Sequence, residues 1–94
     1  MTLGRVSYKV VIKGRVQGVA YRASMREVAV EYRVQGWVRN RDDGVVLSVV
    51  QGEEADVERV LDWARRGPPA AKVTGLRKER LERYPPQVGF RIVD

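Results

Sequence analysis

The 94 residues predict one α+β domain, residues 1–94, with the element order βαββαβ and a short extra strand at the end. Three observations predict it. Apolar residues alternate with polar ones around residue 10, recur at helical spacing in two later stretches, and otherwise form short runs bounded by glycine, proline or Asp-Gly.

Over residues 7–13, Tyr8, Val10 and Ile12 alternate with Lys9, Val11 and Lys13, the period of a strand with one buried face. Between residues 21 and 32 the spacing changes: Tyr21, Met25, Val28, Ala29 and Tyr32 line one side of a helix. The switch of period places a strand-loop-helix joint across residues 14–20. Residues 34–39 and 45–51 then read as antiparallel neighbours joined by Asn40-Arg41-Asp42-Asp43-Gly44, whose Asp-Gly pair favours a tight turn. Gly52 precedes a second helix over about 53–66, with Val57, Val60, Leu61 and Ala64 inward. Glu53, Glu54 and Asp56 in its first turn and Arg65 and Arg66 in its last complement the helix dipole, and Gly67-Pro68-Pro69 stops it. A charge-rich strand over about 72–82 suits a sheet edge, which its charges protect from pairing with another molecule. After Tyr84-Pro85-Pro86, a last short strand carries Phe90 and Ile92.

This order is ferredoxin-like: two helices cover one face of an antiparallel sheet. A right-handed crossover through the first helix makes the first two strands run the same way, with the third antiparallel between them. Topology therefore brings the 14–20 loop and Asn40 to one edge of the sheet.

Composition removes whole classes of chemistry. The chain has no His and no Cys, so it contains no imidazole base, no thiolate nucleophile and no zinc-cysteine cluster. A disulfide-free chain is expected in the cytoplasm. Residues 1–8 lack the apolar run of an export leader, and no stretch approaches the roughly 20 apolar residues that span a bilayer. The net charge of +6 points to anionic partners.

The two helix starts differ. The second helix opens on three acids, whereas the first carries Arg22 and Arg26 and meets an acid only at Glu27. Arg22 in a first turn opposes the helix dipole by ~0.3 to 1 kcal/mol, a penalty that a bound anion would offset. Before it runs Gly14-Arg15-Val16-Gln17-Gly18-Val19-Ala20, a glycine-bearing loop able to turn its backbone N–H groups inward as a nest. Nest, helix end and guanidinium together describe a phosphate cradle. Taken singly, each part has an ordinary reading: a turn, a solvated arginine, a turn-forming Asn40 and packing roles for Trp37 and Trp63. Their convergence on one edge favours the cradle.

The run from Ile12 through Gly14, Val16, Gln17, Gly18, Val19 and Tyr21 to Arg22 resembles the first signature of the acylphosphatase family, and Gly36-Trp37-Val38-Arg39-Asn40 with Gly44, Val46 and Gly52 resembles the second. The resemblance spans the whole chain. It implies hydrolysis of an acyl phosphate to a carboxylate and inorganic phosphate, without metal or cofactor, by a monomer. It assigns the phosphate to Arg22 and to the backbone N–H groups of Arg15, Val16, Gln17, Gly18, Val19 and Ala20, and the orientation of the attacking water to Asn40. Tyr21 departs from the family's usual Phe, so its hydroxyl needs a partner if buried.

Two other classes share the element order. An RNA-recognition domain would suit the charge, but residues 45–50 carry no aromatic side chain to stack a base, and nucleic acid is not expected as a partner. A regulatory domain that keeps the cradle without turnover is the third reading, and the presence of both Arg22 and Asn40 argues against it.

Overall fold

In the computed structural model, which describes residues 4–94, the first strand runs further than its alternation implies: β1 is Arg5–Arg15. It is followed by α1 (Tyr21–Glu31), β2 (Gln35–Asn40), β3 (Val46–Glu53), α2 (Glu54–Ala64), β4 (Lys72–Arg80) and β5 (Phe90–Ile92). Positions 1–3 of the domain assigned to 1–94, with the start of the 1–8 stretch read as lacking a leader, lie outside the described residues.

The sheet order is β4-β1-β3-β2-β5. β1 lies antiparallel to both β3 and β4, and β2 antiparallel to β3, so β1 and β2 run the same way with β3 between them. This is the expected ferredoxin-like arrangement. The antiparallel sheet carries one parallel member, β5, which pairs with β2 through Gly36↔Phe90, Trp37↔Arg91 and Val38↔Ile92. β4 sits at the opposite edge, where the charge of Arg77, Lys78, Glu79 and Arg80 guards an open row of backbone groups.

Period-two alternation sends Val6, Val10 and Ile12 of β1, Val38 of β2 and Val46 and Val50 of β3 into a single core. Met25 and Ala29 of α1 and Val57, Val60 and Leu61 of α2 close over them. Val28 and Tyr32 pack at the margin of that core rather than within it. α2 ends at Ala64, two residues short of the predicted stop; Arg65 is its C-cap and pairs back to Asp62 at 3.0 Å, with Arg66 beyond the helix. No helix among the described residues is long and apolar enough to cross a membrane.

Candidate active site

Regular pairing between β1 and β4 slips between Lys13 and Gly14. Gly14 has φ +123°, and a Cβ placed on it would fall 2.1 Å from the carbonyl oxygen of Lys72, so only glycine lets the two backbones approach. Arg15 still belongs to β1, opposite Lys72, and its side chain is exposed; it is a strand end rather than part of the turn.

Beyond it the chain turns through residues 16–20 into α1. Gly18 (φ +75°) and Ala20 (φ 64°) are left-handed, with Val19 in the ordinary region between them. Such alternation points successive N–H groups toward one concave side, the geometry of an anion nest. Ala20 is also the N-cap of α1 and provides no side-chain cap, and the first turn carries no acid. Among the described residues the N–H groups of 17–23 donate to no other backbone group; the first bond of the helix runs from Ser24 N to Ala20 O at 3.1 Å. Left-handed alanine costs ~1 to 2 kcal/mol, and the loop is held in it by anchors at either side. Val16, at 1 % exposure, is sunk in the core. Gln17 Nε2 donates to Arg41 O (2.8 Å) and Val45 O (3.0 Å), strapping the loop to the turn that follows Asn40.

Alternation along β2 places Asn40 on the same side as the buried Val38, toward α1. Arg22 and Asn40 line one cavity of about 180 Å³ together with Val16, Gly18 and Ala20 of the loop and Ile92 of β5. Arg22 is half-buried and has no ion pair among the described residues. Asn40 Oδ1 is buried and has no hydrogen-bond partner among the described residues. Among the described residues no carboxylate lines the cavity. Of the acids in the turn after Asn40, Asp43 is bound to Arg41 at 2.7 Å, which holds its carboxyl below the ordinary carboxylate range. The site is thus a shallow cup of N–H donors, one guanidinium and one carboxamide, facing an apolar rim at Ile92 and Ala23. Among the described residues, no three His, Cys, Asp or Glu side chains converge to hold a metal ion.

Of the residues singled out from sequence, Val16, Gly18, Ala20, Arg22 and Asn40 meet in this cavity, while Arg15, Gln17 and Val19 do not line it. The strap from Gln17 and the contribution of Ile92 had no local signal: one depends on a turn more than twenty residues away, the other on which strand β5 joins. Tyr21, at the floor of the cup, is 1 % exposed. Its hydroxyl donates to Ala64 O at 2.7 Å, and its ring lies 5.3 Å from that of Trp63. The hydroxyl that replaces the family's usual Phe therefore has its partner, and burial raises its pKa.

Known proteins share both the fold and the motifs. The acylphosphatase family model matches residues 8–92. An acylphosphatase of Albidiferax ferrireducens is 55 % identical over 71 residues, spanning 76 % of this chain and 77 % of that protein. The crystal structure of acylphosphatase from Bacillus subtilis superposes with a TM-score of 0.91 over 95 % of this chain and 99 % of that one, at 31 % identity. An acylphosphatase from Coxiella burnetii does so with a TM-score of 0.91 over 99 % and 100 %, at 32 % identity. A family model that runs from β1 to β5, over a fold that superposes from end to end, shows that the chain belongs to the acylphosphatase family and hydrolyses acyl phosphates to a carboxylate and inorganic phosphate.

Proposed function

We propose that the reaction takes place in the cup formed by the 16–20 loop, Arg22 and Asn40. The phosphoryl group sits at the mouth of α1, where the free N–H groups of the loop and first turn bond its equatorial oxygens and the Arg22 guanidinium balances its two negative charges. Asn40 orients a water molecule through its carboxamide, in line with the P–O bond to the acyl group. The water oxygen attacks phosphorus, the P–O bond to the acyl group breaks, and the bonding pair leaves with the carboxylate. The water's proton passes to a phosphate oxygen, so the products are a carboxylate and dihydrogen phosphate. A carboxylate leaves readily, and positioning with charge stabilisation then suffices without a strong protein base. The acyl group projects over the apolar rim at Ile92 and Ala23.

The observation that carries this reading is the meeting of Arg22, the donor loop and Asn40 in one cavity that no carboxylate among the described residues lines. The proposal extends to a monomer, since every group named comes from a single chain, and to the cytoplasm, since a cysteine-free chain needs no oxidising compartment. Its test is phosphate release from benzoyl phosphate in the presence of a chelator, beside the Arg22→Ala variant. Full wild-type activity in chelator and a fall of about 10² to 10³ in kcat/KM for the variant are expected, with phosphate inhibition weakened. A variant as active as wild type, or a strict metal requirement, would overturn the assignment.

A further inference from the structure

A second cavity, of about 270 Å³, lies at the opposite end of the sheet, where β1 begins and β3 and β4 end. Its floor is polar yet buried: Ser7 is 8 % exposed and Gln51 4 %. Gln51 is fully engaged. Its Nε2 donates to Ser7 Oγ (3.0 Å) and Pro85 O (3.2 Å), and its Oε1 accepts from Gln87 N (2.7 Å). Because Ser7 Oγ is the acceptor in that pair, its own proton remains uncommitted among the described residues. Tyr84 repeats the arrangement, its hydroxyl accepting from Trp37 Nε1 at 3.1 Å and keeping its proton free.

Three arginines and one glutamate line the same cavity as Ser7 and Tyr84. Arg5 is steadied by Gln35 Oε1 at 2.7 Å. Arg80 lies 3.8 Å from Glu82, and Arg83 has no ion pair among the described residues. The wall therefore holds a surplus of two positive charges and of uncommitted N–H and O–H protons. Its complement is an acceptor-rich anion of more than one charge. One bidentate guanidinium satisfies a planar carboxylate, whereas donors arriving from several directions suit the tetrahedral oxygens of phosphoryl groups. We propose that this cavity is a second binding site, separate from the catalytic cup, for a phosphoryl-bearing polyanion of pyrophosphate size.

The two tryptophans report the two ends of the molecule separately. Trp37 is bonded to Tyr84 at the second cavity, and the ring of Trp63 packs at a tilt against that of Tyr21, which lines the catalytic cup. Inorganic pyrophosphate is titrated into nitrogen-15-labelled protein, wild type and Arg22→Ala, while both indole N–H signals are followed. A saturable shift of the Trp37 signal that survives Arg22→Ala supports the site, as does an increase of about tenfold in its dissociation constant with Ser7→Ala and again with Arg83→Gln. Arg83→Gln lies on an exposed loop, so its result does not depend on the folding of Ser7→Ala. Citrate tests the chemistry: weaker binding than pyrophosphate supports the phosphoryl assignment, and equal or tighter binding overturns it. A Trp37 shift that is linear in concentration, or that vanishes with Arg22→Ala, overturns the second site itself.

Discussion

Tyr21→Phe isolates one hydroxyl at the base of the catalytic cup. Ala64 is the last residue of α2, so its carbonyl has no donor within the helix, and the chain beyond turns away at the left-handed Gly67 into Pro68, which has no N–H. Ala64 is fully buried, so water does not replace the donor. The Tyr21 hydroxyl does, at 2.7 Å from the opposite helix. Phe keeps the ring and its packing on Trp63 and removes only this bond, leaving a buried carbonyl unsatisfied. That costs ~1 to 3 kcal/mol, and about 2 is expected here because the site is dry and the bond short. For a domain near 100 residues a loss of ~2 kcal/mol lowers Tm by roughly 8 to 16 °C. Urea or thermal unfolding followed by circular dichroism measures it.

Burial also sets a pH signature. The folded hydroxyl titrates above its ordinary value of 10.0, so the unfolded chain releases that proton first as pH rises. Stability from this group is complete below pH ~10 and declines above it, and the gap between wild type and Tyr21→Phe narrows over the same range. Catalysis should change by no more than about threefold, since Arg22 keeps its backbone setting. A variant as stable as wild type, or more so, would refute the account of Ala64. A large loss of kcat in a fully folded variant would mean that the hydroxyl takes part in the chemistry.

Three further outcomes are expected. Asn40→Ala should lower kcat about a hundredfold while phosphate inhibition stays near wild type, because a misplaced water affects the reacting geometry and not the grip on phosphate; normal kcat would remove Asn40 from the mechanism. Ile92→Ala should reduce the preference for benzoyl over acetyl phosphate about fivefold, the value of roughly one kilocalorie of apolar contact at a half-open rim, and an unchanged ratio would place the acyl group elsewhere. Gly14→Ala drives a Cβ to 2.1 Å from Lys72 O, so a loss of ~3 kcal/mol or more is expected from the clash and the left-handed backbone together. Denaturant titration measures that loss, and an unperturbed midpoint would show that β1 and β4 part without cost.

What could be read from the residue order, and what could not, divides by the range of the interaction responsible. The period change between Ile12 and Tyr21 is a local property, and it located the joint that becomes the catalytic loop. The approach of that loop to Asn40 is long-range, yet it followed from handedness and strand order alone, because a crossover helix leaves few places for the end of β2. No such rule governs three other features. β5 has three residues, too few to show direction, so its parallel seat beside β2 and the arrival of Ile92 at the cup had no precursor in the pattern. Gln17 resembles any polar loop residue until the 41–45 turn comes within 3 Å of its amide. The Tyr21 hydroxyl demanded a partner, but Ala64 is identified only once α2 is seen to end there and to pack its last turn against α1. In each case the deciding fact is a single hydrogen bond or edge pairing between distant segments. The anionic centre was legible because backbone geometry and charge build it, while the apolar rim that meets the acyl group depends on which side chains tertiary packing delivers there.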